Sequence, residues 1–72
     1  MKTYEVTVNE EIKEWRMNGK LHREDGPAVE LADGAKYWYI DGNLHREDGP
    51  AIEYANGTKY WFLHGKRPRR AV

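Results

Sequence analysis

The stretch that decides the fold is Ala28-Val29-Glu30-Leu31-Ala32-Asp33-Gly34-Ala35-Lys36-Tyr37-Trp38-Tyr39-Ile40. Its first five residues alternate in polarity, its last six are rich in β-forming aromatics, and Asp-Gly sits between them. Asp-Gly between two such runs is a strong hairpin signal, because a tight two-residue turn wants positive φ at both central positions. Residues 51–63 repeat the arrangement, with Ala51-Ile52-Glu53-Tyr54-Ala55, then Asn56-Gly57, then Thr58-Lys59-Tyr60-Trp61-Phe62-Leu63. Glycine recurs too often, and no 3.6-residue apolar stripe survives, for a helical reading to stand.

Outward from this hairpin the chain repeats itself. Leu-His-Arg-Glu-Asp-Gly-Pro-Ala occurs at residues 21–28 and again at 44–51, and residues 15–37 match 38–60 at 15 of 23 positions. Trp15, Trp38 and Trp61 keep the period, as do Gly19, Gly42 and Gly65. The same shift maps Val6 onto Val29 and Ile52, so residues 4–19 read as a degenerate first unit. There the strands 4–8 and 12–17 are joined by Glu10-Glu11, a poor turn sequence, with Asn9 beside it as an alternative turn former. The expected organisation is one all-β domain over residues 1–72. It comprises a degenerate unit at 4–19, units at 20–42 and 43–65, and a basic cap at 66–72, forming a single twisted antiparallel meander sheet of three hairpins.

A two-residue turn at Asp33-Gly34 would set Val29 opposite Trp38 and Leu31 opposite Lys36, and the third unit would set Ile52 opposite Trp61. The first unit in the same register has Val6 opposite Trp15 and Val8 opposite Lys13. Register fixes faces, so the β-branched/Trp row is the expected core. The opposite face would carry Ala28, Glu30, Tyr37 and Tyr39, then Ala51, Glu53, Tyr60 and Phe62. A single sheet of this size needs a second layer, supplied by curling over the Trp row or by a second chain.

Trp15-x-x-Asn18-Gly19-Lys20-Leu21-His22, Trp38-x-x-Asp41-Gly42-Asn43-Leu44-His45 and Trp61-x-x-His64-Gly65-Lys66-Arg67 resemble the MORN repeat. The resemblance covers residues 15–67 and reaches 4–14 by period alone. The His-Gly-x-Gly usual in that family is replaced by His22-Arg23-Glu24-Asp25-Gly26-Pro27 and its copy, which is closer to variant, antitoxin-like repeats of bacterial and phage proteins. The resemblance implies a protein-binding or dimerising scaffold, including a phage-encoded, anti-CRISPR-like inhibitor of a host defence or host enzyme acting in the host cytoplasm.

Composition excludes much else. The 72 residues contain no Cys, which removes disulfides, thiol catalysis and Cys-ligated zinc. Unbroken apolar runs reach only four residues, at 37–40 and 60–63, so no membrane-spanning helix is expected, and residues 1–5 lack the apolar core of a secretory signal. There is no Ser, and no Gly-rich phosphate loop, so no enzyme and no cofactor are expected. His22 and His45 fall in successive loops, too far apart for one zinc, and read instead as hydrogen-bonding loop residues. Arg46 is placed to reach Glu24 or Asp25 of the preceding copy.

Net charge is zero, yet residues 1–53 carry seven basic and twelve acidic groups, whereas 54–72 carry five basic and no acidic ones. A uniformly basic nucleic-acid binder is excluded, but a basic end is not. The expected partner-binding residues are Tyr37, Tyr39, Tyr60, Phe62, Lys66, Arg67, Arg69 and Arg70. They would face a protein partner, with nucleic acid or a second copy of the chain as alternatives and no membrane.

Overall fold

The computed structural model describes residues 4–67. These form nine strands and, among the described residues, no helix. β1 is Glu5–Val8, β2 Ile12–Met17, β3 Lys20–Leu21, β4 Val29–Leu31, β5 Lys36–Tyr37, β6 Tyr39–Ile40, β7 Asn43–Leu44, β8 Ile52–Glu53 and β9 Lys59–Tyr60. Every strand pair is antiparallel. Seven strands make one sheet in the order β1-β2-β4-β5-β8-β9, with β3 paired to β2, while β6 and β7 form a separate two-stranded sheet. The expected meander is there, but it is not a single sheet: ladder pairing stops at Trp38, between β5 and β6.

Three hairpins turn at Asn18-Gly19, Asp41-Gly42 and His64-Gly65, where φ is 54° and 78°, 50° and 80°, and 51° and 80°. Two successive positive values define the mirror-image two-residue turn that matches strand twist. In the last of them Leu63 and Lys66 exchange both backbone bonds, at 2.8 and 2.9 Å.

The Asp33-Gly34 and Asn56-Gly57 turns are built differently, and here the expected register is corrected. The Gly34 N–H donates to Leu31 O at 3.0 Å, and the Leu31 N–H donates to Ala35 O at 2.9 Å. The loop is therefore three residues long, Ala32-Asp33-Gly34, with only Gly34 at positive φ, 100°. This is a type I turn followed by a left-handed glycine. The Asp33 side chain accepts the Ala35 N–H at 2.9 Å, and Asn56 does the same for Thr58 at 2.9 Å. The extra loop residue slips the pairing by one, so Val29 lies opposite Tyr37 and Ile52 opposite Tyr60, not opposite Trp38 and Trp61. In the first hairpin Val6 does face Trp15, and Val8 faces Lys13. Its turn rests on Asn9, whose Oδ1 accepts the N–H groups of Glu11 and Ile12 at 2.8 and 2.9 Å.

A one-residue slip exchanges faces. Following the pairs across the sheet puts Ile12, Val29, Leu31, Tyr37, Ile52 and Tyr60 on one side. Val6, Val8 and Trp15 fall on the other, beside the row Lys13, Glu30, Lys36, Glu53, Lys59. That row alternates in charge from strand to strand, the favourable order for cross-strand neighbours. The Trp row is thus not the core. Trp61 is 49 % exposed, and the buried apolar residues are Ala28, Val29, Ala35, Ala51 and Ile52. Ala28 and Ala51 have no exposure at all, and their carbonyls accept the Trp15 and Trp38 N–H groups at 2.8 Å.

Candidate partner-binding surface

Tyr37, on β5, and Tyr60, on β9, lie on the same side of the sheet as Val29 and Ile52. Between them stands Tyr54, 39 % exposed, which packs edge-on against both, with centroids 6.1 Å from Tyr37 and 5.9 Å from Tyr60. Perpendicular packing at these distances is the favourable aromatic arrangement. Burial first, then the neighbouring Tyr54, Asp33 and Tyr39 and a hydrogen bond with Tyr54, raise the Tyr37 phenol above its ordinary 10.0. The Arg67 guanidinium lies 5.3 Å from the Tyr60 ring centroid, extending the row with a cation.

The expected binding residues therefore divide. Tyr37, Tyr60 and Arg67 come together. Tyr39 and Phe62 are half-buried and stand outside this chain of ring contacts; their carbonyls accept the N–H groups of Arg23 and Arg46, both at 3.1 Å. Lys66 is exposed in its turn, and Arg69 and Arg70 lie outside the described residues. Tyr54 was absent from the expected set. Its signal was available, since the 23-residue shift aligns it with Leu31, an aliphatic-to-aromatic change in the most basic part of the chain.

A second construction occupies the Arg-Glu-Asp loops. The Arg23 guanidinium lies 3.8 Å from the Trp15 centroid and Arg46 lies 3.9 Å from that of Trp38. Arg23 Nε binds Asp25 at 3.1 Å while its Nη1 reaches Pro27 O at 3.2 Å and Glu30 at 3.5 Å. Arg46 repeats this with Asp48, Pro50 O and Glu53 at 3.1, 3.0 and 2.9 Å. The expected reach of Arg46 back to Glu24 or Asp25 is therefore corrected: each arginine closes its own loop. Gly26 and Gly49 lie under the guanidinium, where an added Cβ would come within 3.0 Å of the Arg23 or Arg46 Cζ. The missed signal was Trp and Arg eight residues apart, three times, at Trp15 and Arg23, Trp38 and Arg46, and Trp61 and Arg69, the last Arg lying outside the described residues.

His22 is buried, and both its ring nitrogens are engaged. Nδ1 accepts the Asp41 N–H at 3.0 Å, which leaves Nε2 to donate to Glu24 at 3.2 Å. His45 treats the His64 N–H in the same way at 2.9 Å, and the His45 and His64 rings lie 4.4 Å apart. Each histidine thus pins the turn that follows, as a hydrogen-bonding loop residue. Among the described residues no three His, Asp or Glu side chains converge to hold a metal ion, and no helix is long and apolar enough to cross a membrane.

Comparison with protein-family models, curated proteins and solved structures returns no match.

Proposed function

We propose that this chain is a non-catalytic protein-binding module made of three 23-residue hairpin units of MORN-like type, acting as an inhibitor or adaptor. The observation that carries the reading is the Tyr37–Tyr54–Tyr60 row ending in Arg67. Tyrosine and arginine supply large, rigid contact area with polar tips and are the residue types enriched in binding hot spots. The repeat reading is supported by bonds that recur 23 residues on, including Arg23 N–H to Tyr39 O and Arg46 N–H to Phe62 O. Gly42 N–H to Leu21 O and Gly65 N–H to Leu44 O repeat in the same way, both at 2.8 Å. A phage-encoded, anti-defence role in the host cytoplasm follows from the family resemblance alone.

The test is capture of a partner from host lysate by the full chain, compared with Tyr54→Ala and Arg67→Glu. Both variants should retain the far-ultraviolet dichroism of the parent and lose the captured band by tenfold or more. Equal capture by all three would remove this surface from the reading. The stacking of Arg67 on Tyr60 also suits a nucleobase. In that second reading oligonucleotides bind at low salt and release as salt rises.

A further inference from the structure

The two outer strands of the large sheet differ in charge and match in pattern. Among the described residues β1 is paired on one side only, to β2, and all four of its residues are exposed, with Val6 at 48 % and Val8 at 64 %. The Asn9 N–H turns inward to Ile12 O. By the alternation of an antiparallel ladder, the N–H groups of Val6 and Val8 therefore point outward. β9 is likewise paired, among the described residues, on one side, to β8. Tyr60 O accepts the Ala51 N–H, so Lys59 and Trp61 present their backbone groups outward, with the Trp61 side chain half exposed.

We propose that copies of this chain join end to end, β1 of one copy lying antiparallel to β9 of the next. The proposal rests on these edges and is independent of the tyrosine surface. Within the chain, β2 already sets Lys13 beside Val8 and Trp15 beside Val6. The outward edge of β9 offers the same Lys-x-Trp pattern, so Val8 of the incoming strand falls beside Lys59 and Val6 beside Trp61. The pairing covers the exposed apolar residues of both edges and fills two open ladders. Charge favours the head-to-tail sense, because the β1 end carries Glu5, Glu10 and Glu11 while the β9 end carries Lys59, Lys66 and Arg67. A β1-to-β1 pairing would bring acid to acid. β1 also lacks the Lys or Pro that usually blunts an edge strand. A head-to-tail contact is open and permits chains longer than two.

Sedimentation velocity of the full chain over rising concentration tests this, with two variants that each block one edge. Val6→Pro removes an outward N–H of β1, and Lys59→Pro removes one of β9, each leaving the inward ladder bonds in place. The parent mass should rise above the 8.5 kDa monomer with concentration and fall back as salt is added. Each variant alone should stay monomeric, and an equimolar mixture should form a dimer that grows no further, since only one edge of each copy is open. Formation of the mixed dimer also shows that both variants fold. If either variant lacks native dichroism, Val8→Lys and Trp61→Lys take their places. A parent that stays monomeric throughout overturns the proposal. So does dimerisation of Lys59→Pro alone, which would mean symmetric β1 pairing, or failure of two natively folded variants to pair.

Discussion

Histidine at position 22 serves as a hydrogen-bond acceptor for a turn amide. Its Nδ1 holds the Asp41 N–H just where the chain enters the left-handed conformation, with φ at 50°. Removing the ring strands a part-buried amide, a loss that typically costs ~1–3 kcal/mol. His22→Ala should therefore lower the urea midpoint by that order. His45→Ala should lower it less, because the His64 amide it serves is exposed to water. Tyr37 gives the second prediction at this scale. Its phenol is raised above 10.0 by burial and by its neighbours, so the folded chain holds this proton more firmly than the unfolded chain does. The stability it contributes is complete below about pH 10 and is lost as pH rises through the higher folded value. Spectroscopic titration of the phenols should show one late step, and Tyr37→Phe should abolish it and flatten the alkaline fall in stability.

At the scale of the element, loop length sets which residues share a face. Hairpins, their antiparallel sense and the absence of a helical pattern were legible in the alternation around Asp33-Gly34 and Asn56-Gly57. Register was not, because Asp-Gly and Asn-Gly serve two turns equally well. One has both residues left-handed; the other has a type I turn closed by the glycine alone. The side chain of Asp33 decides for the second by accepting the Ala35 N–H, a bond that composition does not announce. In the first hairpin, where no glycine follows Asn9, the two-residue register holds. Gly34→Ala should destabilise by about 1 kcal/mol through left-handed strain, read from the shift in melting temperature. The same change at Gly26, where φ is not positive, should act differently. It should displace Arg23 from Trp15 and alter near-ultraviolet dichroism more than melting.

At the scale of the molecule, the described residues extend 40 × 29 × 15 Å, and no large side chain is fully buried. The expectation of a Trp core came from treating period as register. The slip at the Asp33-Gly34 and Asn56-Gly57 tips set Val29 and Ile52 beside tyrosines, while Trp15 and Trp38 lie under guanidinium groups. Of the candidate surface, Tyr37, Tyr60 and Arg67 were legible from aromatic content and charge asymmetry. Tyr54 was legible only as an aromatic replacing Leu31 at the 23-residue shift; that it meets the others shows only once the register is known.

The charge row Lys13, Glu30, Lys36, Glu53, Lys59 also bears on the electrostatics of the sheet. From Lys13 the row adds a glutamate and then a lysine twice, 23 residues apart, so that each lysine lies beside a glutamate. The row from Lys13 to Lys59 gains length across the sheet without building up net charge, so its electrostatic self-repulsion stays small.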